Sequence, residues 1–499
     1  MKKLSIYLIG LTALIMSACS LEKFPQTALN TEDAMESAAD CEQFRYGLYA
    51  NTKGLFTGAF IYGQDLQADL YHAVDKFGNW QGPFYSYQMT TSEDTPNSAW
   101  FGIYSAIGNA NFLIEGTKKL LEKEDISEDE KELIQLYYGE ACYLRAHFYF
   151  NLAQYFCEDY DPETADSKLG VPVVTVYEPT GDATKYPERG TLAQTFTRIT
   201  TDLAEAEKYV TTKGAVSSNY ITKDVVTAFQ ARVALTMHDW TTAYNKATSL
   251  ISAGTYKFVG SKAALAEAWT KDNLSECLWQ AKMVNSSDLG NSYRYFIYNT
   301  TGVDGEDDPQ YIPEDWCLDL YAPDDVRWAW FDKRDVHIRV TGTIYLLVKY
   351  PGNPALQANN VSNYCNMPKI FNIGEMYLIA AEAAYDKNDY TNANKYLNAL
   401  RAARIPSWTT TDYAGLDLFR EIREERVREL YGEGFRLNDL KRWHMGFTRS
   451  AGQDPSILFP GRNYVDCTRE ADDPAFLWPI PKDEMQANPQ MVQNSAYTR

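Results

Sequence analysis

Histidine is scarce in this chain, and what there is stands alone. His72, His147, His238, His337 and His444 are the five, no two are spaced as metal ligands on one element, and no HExxH occurs. A GxSxG elbow, a P-loop and a glycine-rich dinucleotide fingerprint are absent too, so an enzyme reading has no constellation to rest on. A facing carboxylate pair for glycoside hydrolysis cannot be singled out among 67 Asp and Glu. An excess of basic charge is also missing: 47 Lys and Arg leave a net charge of −20, which argues against nucleic acid or anionic lipid as a ligand. No CxxC pair occurs, and the cysteines beyond Cys19 (Cys41, Cys142, Cys157, Cys277, Cys317, Cys365 and Cys467) are too dispersed for a disulfide framework. They are expected as buried thiols. The N-terminal apolar run, Leu4 to Met16, is too short for the ~20 residues a membrane-spanning helix needs.

That run has another meaning. Lys2 and Lys3 precede it, and Met16-Ser17-Ala18-Cys19 closes it as a small-residue cleavage site ending in cysteine. This is the pattern of a lipoprotein signal peptide over residues 1–18. Cys19 is the expected lipidation site, and Ser20 to Thr31 a tether.

Aromatic residues make up 14% of the chain, with 36 Tyr and 11 Trp. Such rings fill cores, and they also stack on apolar faces while keeping a polar edge wet. Two stretches concentrate them without helical rhythm. Residues 55–97 carry Phe56, Phe60, Tyr62, Trp80 and Tyr85 beside Asp65 and Asp69. Residues 257–368 carry Tyr293, Tyr295, Tyr311, Trp316, Tyr321 and Trp328. Loops this long in a compact body are usually functional. Asp304-Gly-Glu-Asp-Asp308 reads as a solvated acidic turn or a calcium loop, without EF-hand spacing.

Helical periodicity occupies the rest, at about 40–54, 98–156, 191–255 and 370–446. Ser127 is placed to cap a long helix ending at Phe156, with Glu130 completing a capping box. Gly139-Glu140-x-x-Tyr143-Leu144-x-Ala146 is echoed by Gly374-Glu375-x-x-Leu378-Ile379-x-Ala381, and Asp239-Trp240-Thr241-x-Ala243 by Asp389-Tyr390-Thr391-x-Ala393. Small residues at close contacts in paired helices are the logic of tetratricopeptide repeats. The predicted fold is therefore mainly α: a degenerate tetratricopeptide-like helical repeat scaffold with long irregular insertions.

One stretch, Glu421 to Trp443, interleaves charges and large apolar residues too tightly for a surface helix. It reads as two helical segments hinged at Gly432 and Gly434. Leu416, Phe419, Ile422 and Leu430 share the inward face with Arg426, while Glu433, Arg436, Asp439 and Arg442 alternate sign at three-residue steps. A buried structural ion network of Arg426, Glu433, Arg436, Asp439 and Arg442 is expected. The pattern E-E-R-x-R-E-L-x-x-E-G-x-R-x-x-D-L-K-R-W at Glu424 to Trp443 resembles the C-terminal signature of the SusD/RagB family, nutrient-binding outer-membrane lipoproteins of Bacteroidetes. Trp100-x-x-x-Tyr104-x-x-Ile107-x-x-x-Asn111 and the stretch Leu477 to Glu484, read as a non-helical docking strip, resemble that family as well.

The resemblance implies a non-enzymatic surface protein without cofactor or metal. It would hold a glycan with an early loop and a central insertion, and pass it to a SusC-like TonB-dependent transporter in the outer membrane. Asp65, Asp69 and Trp80 from the first insertion, with Tyr293, Tyr295 and Trp316 from the second, are the candidate ligand contacts. A lipid-anchored glycoside hydrolase and a peptide-binding or adaptor protein are the alternatives.

Overall fold

The computed structural model describes residues 34–498 except 57, 76–77, 286–287, 289–295, 297–306, 338–340, 358–363, 450–451 and 461–466. Cys19, the expected signal peptide, and both Tyr293 and Tyr295 lie outside the described residues, as does most of the acidic turn at Asp304–Asp308.

The chain is mainly helical. Its principal helices are α1 (Ala38–Leu55), α2 (Ala59–Gln67), α3 (Asp94–Leu121), α4 (Glu128–Phe156), α5 (Leu192–Tyr209), α6 (Lys223–Thr236), α7 (Trp240–Ala253), α8 (Lys262–Lys271), α9 (Ile373–Asp386), α10 (Tyr390–Arg404), α11 (Gly415–Glu429) and α12 (Arg436–Arg442). The strands, β1 (Tyr71–Ala73), β2 (Cys277–Gln280), β3 (Tyr311–Pro313), β4 (Phe331–His337), β5 (Thr341–Leu347), β6 (Lys369–Asn372), β7 (Phe447–Thr448) and β8 (Thr468–Arg469), pair antiparallel as β1–β3, β2–β6, β4–β5 and β7–β8.

Repeated sequence has become repeated geometry. α4 packs between α3 and α5, and α9 packs against α7, α10 and α11. Gly139 of α4 faces Tyr209 at the end of α5, where a Cβ would stand 2.9 Å from the tyrosine Cβ, and Gly374 of α9 faces Glu429, where a Cβ would meet Oε1 at 2.1 Å. The glutamate after each glycine is buried and paired with an arginine of another helix: Glu140 with Arg45 of α1, and Glu375 with Arg232 of α6, Arg232 Nε donating at 2.6 Å. The second motif repeats as faithfully. Asp239 accepts Thr242 N–H at 3.0 Å and Asp389 accepts Asn392 N–H at 3.2 Å, each capping its helix. The residues before them, His238 and Asn388, turn the chain with φ of 59° and 60°.

Two large apolar cores lie in this frame. One fills the helical repeats, from Trp100 and Tyr149 to Trp279, Ile379 and Trp478. The other gathers Tyr62, Leu66, Tyr71, Tyr85, Trp269, Tyr311, Trp330 and Tyr431 from α2, α8, the strands and the end of α11. Most of the aromatic surplus is therefore internal. The cysteines from Cys41 to Cys467 are buried, and no disulfide joins them.

Some local expectations are corrected. Residues 55–97 contain α2, whose last six residues, Tyr62 to Gln67, are all buried; a helix without a polar face shows no amphipathic period. Residues 257–368 likewise contain α8. Leu416 is 82% exposed because it sits in the first turn of α11, and the inward face is instead Leu418, Ile422, Glu425, Arg426 and Glu429. Ser127 does cap α4, but Glu130 reaches across to accept Ala38 N–H at 3.1 Å, capping α1 rather than closing its own box. Within the closing stretch Lys482–Ala487 forms a short helix, although Trp478 is fixed as expected, stacked on Tyr155 at 4.3 Å.

The hinge forms as read, with Gly432 and Gly434 at φ of 72° and 82°. At Gly434 a Cβ would also lie 2.7 Å from the Ile61 carbonyl oxygen. Because the hinge breaks the helix, Glu433 and Arg436 take partners from outside the run. Of the expected three-residue steps only Asp439 and Arg442 meet, at 3.0 Å, joined by Arg426, whose Nε and Nη2 both reach Asp439 at 2.8 Å, and by Glu382 of α9. Glu433 pairs with Lys349 Nζ at 2.6 Å, and Arg436 with Asp69 at 2.7 Å.

A larger network centres on Glu425 and Glu429. Arg327 Nη1 donates to both, at 2.7 and 3.0 Å, and its Nη2 to Asp325 at 2.8 Å. Arg401 Nε and Arg428 Nε donate to Glu425 at 2.8 and 2.9 Å, and Arg404 bridges Glu429 and Glu276, donating to each at 2.5 Å. All these groups are buried. Burial alone would push Glu425 up, but Arg428, Arg327 and Arg401 outweigh it and hold its carboxyl well below the usual range. Replacing Glu425 by glutamine strands arginines in the interior and is expected to cost roughly 3–5 kcal/mol of unfolding free energy at neutral pH, measured by chemical denaturation. Since the folded-state carboxyl titrates below its unfolded value of about 4.3, its contribution is present above that pH and fades as pH falls. The deficit of Glu425→Gln should therefore narrow on acidification below about pH 4.

Candidate functional site

The two aromatic insertions come together in space. β1 belongs to the first and β3 to the second, and they pair with Tyr71 opposite Pro313 and Ala73 opposite Tyr311. Around this ladder the rings form one cluster. Tyr62 lies 5.0 Å from Trp80 and 5.5 Å from Phe296, Phe296 lies 4.9 Å from Tyr71, and Trp80 lies 6.3 Å from Tyr311. The Tyr311 hydroxyl donates to the Trp80 carbonyl at 2.6 Å, anchoring that loop. Tyr62, Phe296 and Tyr311 are buried and Trp80 is half-exposed, so Trp80 is the edge of the cluster that meets solvent.

Trp316 is half-buried as well and stands beside Asp69. Its Nε1 donates to the Asp69 carbonyl at 2.8 Å, and the Arg436 guanidinium sits 5.2 Å from its ring. Farther along, Trp328 and Tyr345 form a half-exposed pair at 5.3 Å, with Lys333 Nζ 5.6 Å from the tyrosine ring. Rings fixed at one edge by a hydrogen bond and open on the other suit an apolar face with polar rims.

The two aspartates do something else. Asp65 has no exposed surface, and its carboxylate accepts Gly434 N–H at 2.9 Å and Arg436 N–H at 3.3 Å, capping α12 from another element. Asp69 is 7% exposed, with Arg436 Nε and Nη2 on its two oxygens at 2.7 and 2.8 Å. Both expected ligand contacts are thus consumed by the hinge. Of the residues expected at the site, Trp80 and Trp316 remain accessible, with Asp69 behind Trp316.

Sequence reasoning did not anticipate a cleft of about 130 Å³ between α2, α4, α6 and the hinge, lined by Phe60, Gln64, Asn151, Tyr155, Tyr160 and Asn438 among others. Several of its charged walls are already paired: Arg232 with Glu375, Arg442 with Glu382 and Glu433 with Lys349. Lys441 Nζ donates to the carbonyls of Gln154 and Cys157, at 3.0 and 2.8 Å.

Known families match this arrangement. The model of the SusD family covers residues 331–497, and the model described as "Starch-binding associating with outer membrane" covers residues 21–235. The chain is similar to the SusD family over both of these stretches. SusD-like protein P25 of Formosa agariphila is 23% identical over 97% of each chain. The crystal structure of a SusD superfamily protein from Bacteroides thetaiotaomicron is 25% identical, with a TM-score of 0.77 over 92% of this chain and all of that one. A SusD-like carbohydrate binding protein from Bacteroides vulgatus shares the fold at 18% identity, with a TM-score of 0.74 over 93% of this chain. The helical repeat frame is thus the SusD superfamily fold. In this chain the signature Glu424 to Trp443 is structural, since its charges bind one another, Asp65, Asp69 and the neighbouring helices.

Burial pushes the Asp65 carboxyl up to about 7, against the pull of the Gly434 and Arg436 N–H groups. The folded chain holds this proton more tightly than the unfolded one, so the stability it contributes is full below about pH 4 and is lost as pH rises through about 7. Asparagine at 65 cannot titrate. Relative to Asp65→Asn, the wild-type chain is expected to lose stability by up to about 1.4 kcal/mol per pH unit between pH 5 and 7, read from urea denaturation across that range.

Proposed function

We propose that this chain is a cell-surface glycan-binding lipoprotein that captures an oligosaccharide and delivers it to a SusC-like TonB-dependent transporter of the outer membrane. The observation that carries this reading is the convergence of the two insertions on one aromatic assembly, which leaves Trp80, Trp316, Trp328 and Tyr345 half-exposed on a rigid base. The match of residues 331–497 to the SusD family model supports it, as does the match of residues 21–235 to a starch-binding, outer-membrane-associated family model. The sugar is held and not altered: the rings supply stacking faces, and the buried acids nearby are committed to arginines and backbone N–H groups. The repeat scaffold, presented on the other core, is the face for the transporter.

Affinity electrophoresis against a glycan panel, run beside a reducing-sugar assay, tests the reading. Retardation without product is expected, and product formation would make the chain a hydrolase. Trp80→Ala and Trp316→Ala should each weaken the retarding glycan by roughly tenfold, the 1–2 kcal/mol scale of residues that carry binding energy. An unchanged mobility shift in both would move the site elsewhere. Anchoring at Cys19 is tested separately: Cys19→Ser should abolish labelling by a fatty-acid analogue and release the chain from the membrane fraction. Retention there without label would contradict it.

A further inference from the structure

Three segments distant in sequence meet at one rim of the cleft: the residues after α4, the turn after α12 and the loop after β8. They bring together Asp159, His444 and Asp472, one donor atom from each lying within 4.8 Å of the others. His444 Nδ1 is 2.9 Å from Asp472 Oδ1. A carboxylate on Nδ1 fixes the proton there and turns the lone pair of Nε2 outward, the arrangement that second-shell carboxylates impose on metal-binding histidines.

Facing that nitrogen is an oxygen that lacks a donor. The Asp159 side chain is only 10% exposed, and its Oδ1 takes Lys168 Nζ at 3.3 Å, yet its Oδ2 accepts no hydrogen bond. A carboxylate oxygen shut off from water without a partner is costly and calls for an occupant. Oδ2 lies 3.5 Å from His444 Nε2. Two ligand atoms held at about 2.0–2.2 Å by a tetrahedral ion stand roughly 3.3–3.6 Å apart, so the gap has the size of one edge of such a shell.

We propose that Asp159, His444 and Asp472 form a binding site for a divalent cation of the zinc class. Asp159 Oδ2 and His444 Nε2 are the direct ligands, and Asp472 orients the imidazole. Water completes the shell, since His444 and Asp472 are 48% and 57% exposed at the side chain. An imidazole donor favours zinc over calcium, which takes six to eight oxygens. Lys168 opposes the cation, but it is engaged by Asp159 Oδ1 and lies 3.9 Å from Glu158, whose charge offsets it. The bound ion would clip the end of α4 to the exit of α12 and, through the Asp472 hydrogen bond to His444, to the loop after β8.

Calorimetric titration of zinc chloride into the purified, chelator-stripped protein tests this. One equivalent is expected to bind with a Kd on the order of 10 µM or tighter. His444→Ala and Asp159→Asn should each weaken it by at least about a hundredfold, and Asp472→Asn by less, within the roughly 10–100-fold range of orienting partners. His444 is on the surface, so its variant should keep the far-ultraviolet circular dichroism of the parent. No binding at about 100 µM zinc, binding that survives both ligand substitutions, or calcium binding more tightly than zinc would each overturn the proposal.

Discussion

Charge placed inside a protein must be neutralised where it lies, and the buried meeting of Glu425 and Glu429 with Arg327, Arg401 and Arg404 is the constraint on which this structure depends. Arg401 and Arg404 come from α10, the glutamates from α11, Arg327 and Asp325 from the short 3-10 helix before β4 and its cap, and Glu276 from the residue before β2. Glu425 and Glu429 are each shared between guanidiniums, so no partner can leave without exposing another to low dielectric. The network thereby ties the last helical repeat to the half that carries the aromatic insertions. The hinge extends the same principle: Arg436 and the N–H groups around it take up Asp69 and Asp65, which fixes α2 and the loop leading to β1.

The repeats obey a quieter version of that rule. Glu140 with Arg45 and Glu375 with Arg232 stand at matching positions of two degenerate units, each beside a glycine that admits close approach of a neighbouring element. A frame locked in this way is rigid, and a rigid frame suits the task assigned to the aromatic side. Tyr62, Phe296 and Tyr311 are buried to hold Trp80 at the edge, so that binding a sugar need not order the surface first.

Much of the frame was legible in the chain itself. Periodicity located the long helices, Ser127 marked a cap, the glycines at 432 and 434 marked the hinge, and the echoed motifs marked the repeats. The rest was hidden for one physical reason: sequence shows spacing along an element but not partners across the fold. Arg327 lies 98 residues from Glu425 and 102 from Glu429, so nothing local foretold that they meet. The same blindness placed Asp65 and Asp69 at a ligand, because a carboxylate among aromatics looks alike whether it faces a sugar or a distant backbone N–H. α2 escaped notice because burial removes the polar face that makes a helix visible. Trp80 and Trp316 were legible only as aromatics; that one edge of each stays open is a property of packing. Tyr293 and Tyr295 lie outside the described residues.

The chain thus divides into a charge-locked frame and an aromatic face proposed to take the ligand. Hydrogen–deuterium exchange with and without a bound glycan measures that division directly. Protection on binding is expected in peptides covering 59–85 and 309–347, with the helices of the repeats, α4 to α7 and α9 to α11, exchanging as before. Protection confined to the repeat helices or to the cleft walls at 147–160 and 433–442 would contradict it.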